Sequence, residues 1–181
     1  MLRAQHNSAM PEDIVIRDAR PDEVSSVGAV ILEAYAQFEA AYPADSWTRY
    51  YEMVGRMQEH FDAAEVIVAE RDGRIIGSVT FYRDGSKSGQ GEWPDGWAGV
   101  LRLAVLPAYR GLGLGKLLTQ ECMRRCRDSG IATLALHTTD WMPLAKAMYE
   151  RMGFVRDPSF DFIPRSGIYA YGYRIDVTPG P

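Results

Sequence analysis

Hydrophobic and polar positions change period several times along this chain, and each change marks an element. Ile14-Val15-Ile16 reads as a short strand, and Arg20-Pro21-Asp22 supplies a turn and a helix start. Val24, Val27, Ile31, Ala34, Tyr35 and Phe38 then recur three or four residues apart, the spacing of one buried helix face. A second helix is predicted from Ser46 to His60. Glu65 to Glu70 and Arg74 to Phe81 are β-rich, and Arg71-Asp72-Gly73 between them supplies the positive φ of a tight hairpin. Gly85 to Gly96 reads as a loop, and Trp97 to Val105 as a strand ended by Pro107. Leu114, Leu117, Leu118, Cys122 and Cys126 form a helical stripe with Gly130 as its C-terminal cap. Ile131 to Leu136 is an apolar run suited to a buried strand, Pro143 to Met152 is helical with Gly153 as its stop, and Ile168 to Val177 alternates Tyr169, Tyr171 and Tyr173 along one face. Residues 1–11 show no period and read as a loose tail before one domain over residues 12–178. Interleaved strands and helices predict a mixed α/β sheet with helices on both faces.

Composition narrows the function classes. The 181 residues are 46% hydrophobic and 24% charged, ordinary usage for one domain with a core. A net charge of −4 argues against nucleic-acid binding by phosphate neutralisation. Cys122 and Cys126 cannot build a disulfide framework; one helical turn apart and without further ligands nearby, they read as core residues and not as a metal site. No apolar run approaches the roughly 20 residues that span a bilayer, and the first eleven residues carry no apolar signal block. A cytoplasmic protein without a membrane partner is the expectation.

The most informative stretch lies between the strand ending at Val105 and the helix starting near Gly113: Val105-Leu106-Pro107-Ala108-Tyr109-Arg110-Gly111-Leu112-Gly113-Leu114-Gly115-Lys116. Glycines allow a sharp turn and close backbone approach, and the first N–H groups of a helix lack internal partners, so this is a phosphate-binding candidate to which Arg110 and Lys116 can add charge. Spacing discards two motifs. A P-loop requires Gly where Arg110 stands and Ser or Thr where Leu117 stands; a G-x-G-x-x-G fingerprint meets Lys116 or Leu118 at its last position.

What fits is Arg-x-x-Gly-x-Gly, given by Arg110, Gly113 and Gly115 after Leu103-Ala104-Val105 and Pro107. With Tyr149-Glu150-Arg151-Met152-Gly153-Phe154 downstream, the chain from about Ile14 to Val177 resembles the GNAT N-acetyltransferase superfamily. The resemblance implies a mixed α+β fold with a central sheet of six to seven strands, splayed at strands four and five, where acetyl-CoA lies. The pantetheine arm would pair with backbone near Leu103, Ala104 and Val105, and the pyrophosphate would sit on the N–H groups of Arg110, Gly111, Leu112, Gly113, Leu114, Gly115 and Lys116. A strand N–H near Leu103 or Val105 would polarise the thioester carbonyl. Tyr149 matches the tyrosine that faces the CoA sulfur, a general acid for the departing thiolate, against the alternative of a packed ring.

The chain also departs from that pattern. An ammonium with a pKa of roughly 10 must lose a proton before it attacks. The position where many relatives carry a glutamate is Gly99, with Arg102 the charged residue nearby; Glu92, Asp95, His137, Asp140 or a water relay are the alternatives. Met142 stands where relatives often have asparagine near the cofactor. Trp47, Trp93, Trp97 and Trp141 read as core or pocket lining, and Tyr35, Phe38 and Tyr42 as acceptor lining or helix packing. The expected function is transfer of the acetyl group of acetyl-CoA to a primary amine of a small molecule or protein, directly in a ternary complex and without a metal. The competing class is a non-catalytic acyl-CoA-binding regulator. The tyrosine-rich last strand is read as an edge at which a homodimer could pair. Acceptor identity and donor acyl length stay open.

Overall fold

The predicted hairpin anchors the whole architecture in the computed structural model, which describes residues 13–41, 44–163 and 168–177. Strands β2 (Glu65–Arg71) and β3 (Arg74–Tyr82) pair from Glu65↔Phe81 to Arg71↔Arg74 around a turn in which Asp72 and Gly73 both have positive φ. Around them lie β1 (Ile14–Asp18), β4 (Trp97–Val105), β5 (Thr133–Thr138), β6 (Val155–Arg156) and β7 (Tyr171–Asp176), giving one seven-stranded sheet in the order β1-β2-β3-β4-β5-β7-β6. Every neighbouring pair is antiparallel except β4–β5, which is parallel.

Helices cover both faces, as the interleaved pattern predicts. Helix α1 (Val24–Tyr35) packs Val27, Ile31 and Ala34 onto β3 and β4, and α4 (Leu114–Asp128) packs Leu118, Cys122 and Cys126 onto the same strands from the other side. Alternation along β3 separates the faces: Gly77 lies against Leu118 of α4, whereas Tyr82, five residues on, meets His60 of α3 (Met57–Ala63). Helix α5 (Pro143–Arg151) sits on the α4 side, where Tyr173 donates a hydrogen bond to Glu150.

Several boundaries differ from the sequence expectations for local reasons. The helix predicted over Ser46–His60 is two helices, α2 (Ala44–Gly55) and α3, because Gly55 weakens the helical run and the Arg56 N–H closes a tighter bond to the Met53 carbonyl. Phe38 lies beyond α1 in a 3-10 segment, Ala36–Ala41. β5 starts at Thr133 instead of Ile131 because Gly130 and Ile131 close α4, with the Ile131 N–H on the Cys126 carbonyl. The loop over Gly85–Gly96 contains a 3-10 turn and a buried Trp93. β6, two residues long, carries no sequence signal. The last strand is not a sheet edge: β7 has β5 on one side and β6 on the other, so the expectation of an edge there is corrected. The expected tail over residues 1–11 and Tyr42 lie outside the described residues. Among the described residues no helix is long and apolar enough to cross a membrane.

Candidate active site

β4 and β5 pair from Trp97↔Thr133 to Val100↔Leu136 and then part, although β4 continues to Val105 and β5 to Thr138. A bulge opens the gap. β3 pairs Ser78 with Ala104 but Thr80 with Leu101, leaving an extra residue in β4 at Arg102–Leu103, and Arg102 has a φ of 53°. Since the Leu106 N–H reaches back to the Ile76 carbonyl on β3, alternation turns Leu103 and Val105 toward the gap. Their carbonyls are engaged there, Leu103 O by the Tyr35 hydroxyl at 3.1 Å and Val105 O by Arg110 Nε at 3.3 Å.

At the end of this gap the chain makes its glycine-rich turn. Gly111 and Gly113 have φ of 81° and 82°, and the space beside both is open. Backbone N–H groups from Gly111 through Lys116 donate to no acceptor among the described residues, and Leu117 makes the first helical bond, to Gly113 O. They open α4, whose dipole adds positive character. Leu114 is buried and pins the turn to the core, while Leu112 and Lys116 are exposed, so the backbone faces the ligand side. Arg110 acts on the protein itself. Its N–H goes to Pro107 O, and its guanidinium goes to Gln37 Oε1 at 2.9 Å and to Ala34 O at 2.7 Å, tying the turn to the end of α1.

Tyr149 on α5 is 5% exposed and packs against Phe154 with ring centroids 5.5 Å apart. Burial pushes its phenol well above the usual tyrosine range, with the Tyr35 phenol and the Cys122 thiol nearby adding to the shift, so it holds its proton. Tyr35 from one face of the sheet and Tyr149 from the other thus approach one region of the gap.

Trp93 fills the space beside Gly99: a Cβ there would stand 2.9 Å from the indole Cη2, and the same ring lies over Gly85. Glu92 and Asp95 are exposed. His137 donates from Nε2 to the Phe160 carbonyl at 2.8 Å and packs among Trp93, Phe160 and Phe162; burial lowers its pKa to about 4. Asp140 accepts the Tyr171 hydroxyl at 2.7 Å. Sequence reasoning missed His60, which shares a 2.5 Å hydrogen bond with Tyr82 and whose pKa burial and the nearby Arg102 lower to about 4. Only the docking of α3 on β3 brings these residues together, so no local signal could have found them. Arg102 Nη1 contacts Met57 Sδ at 3.2 Å.

The other aromatic and thiol candidates sit as follows. Tyr35 and Phe38 stack edge-on at 5.8 Å, Trp47 lies 6.0 Å from Tyr51, and Trp97 packs on Phe160 under Arg174. Trp141 lies in the turn between β5 and α5. Burial raises both cysteine thiol pKa values, Cys126 to about 12, and no metal-binding group of His, Cys, Asp or Glu exists among the described residues.

Strand lips that have parted and a turn of undonated N–H groups fit an extended ligand with amides along its arm and a diphosphate at its end. At the end of β5, Thr138 Oγ1 and Thr139 Oγ1 are buried and have no hydrogen-bond partner among the described residues. Met142 precedes α5, with its N–H on Thr139 O and its carbonyl on the Lys146 N–H.

Comparison with known proteins agrees with this geometry. Residues 31–154 match the model of the Acetyltransferase (GNAT) family. The mycothiol acetyltransferase of Cellulomonas flavigena is 36% identical over 126 residues, 66% of this chain and 36% of that protein. The chain spans less than half the length of that relative and of the similar mycothiol acetyltransferases. An acetyltransferase of the GNAT family from Staphylococcus aureus has a TM-score of 0.69 at 17% identity, covering 91% of this chain and 99% of that one. The PaiA N-acetyltransferase of Thermoplasma acidophilum, solved in complex with coenzyme A, has a TM-score of 0.65 at 18% identity, covering 88% and 97%.

Proposed function

This chain belongs to the GNAT acetyltransferase family, and from that premise we propose that it transfers the acetyl group of acetyl-CoA to a primary amine, directly, in a ternary complex. The observation that carries the reading is the parted β4–β5 pair running into a turn whose N–H groups, Gly111 to Lys116, donate to no acceptor among the described residues. Acetyl-CoA as the donor brings a thioester; the chain's part is to hold and aim it.

In this reading the turn binds the diphosphate through backbone N–H groups, which explains why Leu112 and Leu114 can be apolar. Leu103 and Val105 direct their peptide groups into the gap, and their N–H groups serve as fixed donors for oxygen that gains negative charge. Burial keeps Tyr149 protonated at Oη; as the carbon–sulfur bond breaks it donates to the departing sulfur, and the N–H proton that the amine nitrogen loses on becoming an amide returns through water to Tyr149, so that no net charge is left on the phenol. Gly99 has no side chain to act as a base, and the half-buried His137 and His60 are already engaged, His137 with the Phe160 carbonyl and His60 with the Tyr82 hydroxyl. Glu92, Asp95, Asp140 or water then takes the acceptor's proton. Residues 12–178 act as one catalytic unit.

Release of free thiol from acetyl-CoA, followed across a panel of small amines, amino sugars and peptides, tests the proposal. Acceptor-stimulated release supports it; tight CoA binding with no release by any acceptor would favour a regulator that senses acyl-CoA.

A further inference from the structure

β4 loses β5 as a neighbour after Val100, yet the carbonyls it then turns toward the gap are already taken. Tyr35, the last residue of α1, donates its hydroxyl to Leu103 O at 3.1 Å, and Arg110 Nε donates to Val105 O at 3.3 Å. The N–H and C=O of one strand residue point the same way, so with its carbonyl engaged Leu103 turns chiefly a donor to the gap. That polarity suits an oxygen that gains negative charge, which an open carbonyl beside it would repel. Leu103 also follows the strained residue of the bulge. Arg102 has a φ of 53°, a conformation that costs a non-glycine residue free energy and persists only where the surroundings hold it. Tyr35 holds the next residue from the α1 face, while the Leu103 side chain lies beside Gly115 of α4 on the other face. The Tyr35 ring does not owe its place to the hydroxyl: it packs against the core and stands edge-on to Phe38, with centroids 5.8 Å apart. Its phenol is also near enough to Tyr149 to act on that residue's proton affinity.

We propose that Tyr35 is a positioning residue for acetyl transfer: its hydroxyl, bonded to the Leu103 carbonyl, fixes the β4 bulge so that the Leu103 N–H aims at the thioester oxygen. This role rests on the acetyl-CoA reading above and adds to it the side chain that sets one of its donors. Tyr35 acts through the backbone of β4, on the same carbonyl in the empty and the loaded protein. Removing the hydroxyl leaves the diphosphate turn in place and loosens a single N–H. The loss falls on the thioester carbonyl, a group that acetyl-CoA has and CoA lacks.

The experiment compares the parent with Tyr35→Phe, which keeps the ring. Calorimetric titration of CoA and of acetyl-CoA gives the affinities, and steady-state kinetics with the best acceptor of the amine panel give kcat and KM. Infrared spectra of bound acetyl-CoA, isotopically labelled at the thioester carbonyl, report the hydrogen bond to that oxygen directly. The expected result is a CoA Kd within about twofold of the parent and a kcat about tenfold lower with the acceptor KM unchanged. The carbonyl band should lie below its free position in the parent and return toward it in Tyr35→Phe. The infrared comparison needs no acceptor, so it decides the role of Tyr35 whatever amine the protein takes. A bound carbonyl band that is the same in parent and variant would overturn the proposal. So would an unchanged kcat, a raised acceptor KM at constant kcat, which would make Tyr35 a contact for the amine, or equal loss of kcat and CoA affinity, which would assign it to packing. A parent that binds no acetyl-CoA would overturn the acetyl-CoA reading as well, a result seen before any substitution is made.

Discussion

Tyr149, Gly99 and His137 each convert a local environment into a measurable effect. Tyr149→Phe keeps the ring that packs on Phe154 and removes only the proton donor, so kcat should fall about 100-fold while CoA affinity stays within about twofold. Equal loss of both in steady-state and binding measurements would assign Tyr149 to packing. Gly99→Ala places a methyl against the Trp93 indole, and because that ring is also wedged over Gly85 it cannot yield freely; urea unfolding should show a loss of about 1–3 kcal/mol. His137 has its folded pKa lowered from 6.5 to about 4, so the unfolded chain binds the proton more readily. Stability contributed by the neutral imidazole is present above pH 6.5 and is lost as pH falls toward 4, by at most about 3 kcal/mol for this residue. Denaturant midpoints measured from pH 7 to pH 4 should fall accordingly, and His137→Phe should flatten the slope. The aromatic and glycine identities here were all readable in the sequence; the burial that gives them these properties was not.

Elements matter through how they are tied. The glycine turn is held from one side by Leu114 in the core and from the other by Arg110, whose guanidinium joins the Ala34 carbonyl, Gln37 and the Val105 carbonyl. That side chain links the ends of α1, β4 and the turn, so Arg110→Ala should lower the melting temperature and raise the CoA Kd roughly tenfold, corresponding to about 1.4 kcal/mol. Arg110→Lys should not restore it, because one ammonium cannot span acceptors on both sides. An Arg110→Ala variant with parental affinity and melting temperature would show that the turn holds its shape unaided. The motif Arg-x-x-Gly-x-Gly located this turn from spacing alone, yet motif spacing suggested that Arg110 adds charge for a phosphate, and the structure places its guanidinium on α1. A side chain's direction depends on which acceptors the fold brings near, and these are more than 70 positions away in sequence.

At the scale of the molecule, a site shared between two strands predicts that donor binding stabilises the whole sheet. CoA at about 100 times its Kd should raise stability by roughly 2.7 kcal/mol, read as a shift in melting temperature; no shift at saturating CoA would refute the proposed cleft. Periodicity by itself determined the order of strands and helices, the hairpin at Asp72-Gly73, the helix after the glycines and the coverage of both sheet faces, since these follow from which residues avoid water and which backbones tolerate positive φ. Motif and chain order together also located the splay, through family resemblance. Tertiary structure alone decided that β7 lies inside the sheet, that Trp93 occupies the place beside Gly99, and that His60 meets Tyr82. Local patterns encode the burial of a face, a property of one segment; the partner on that face, and the hydroxyls left over on Thr138 and Thr139, exist only once distant segments have packed together.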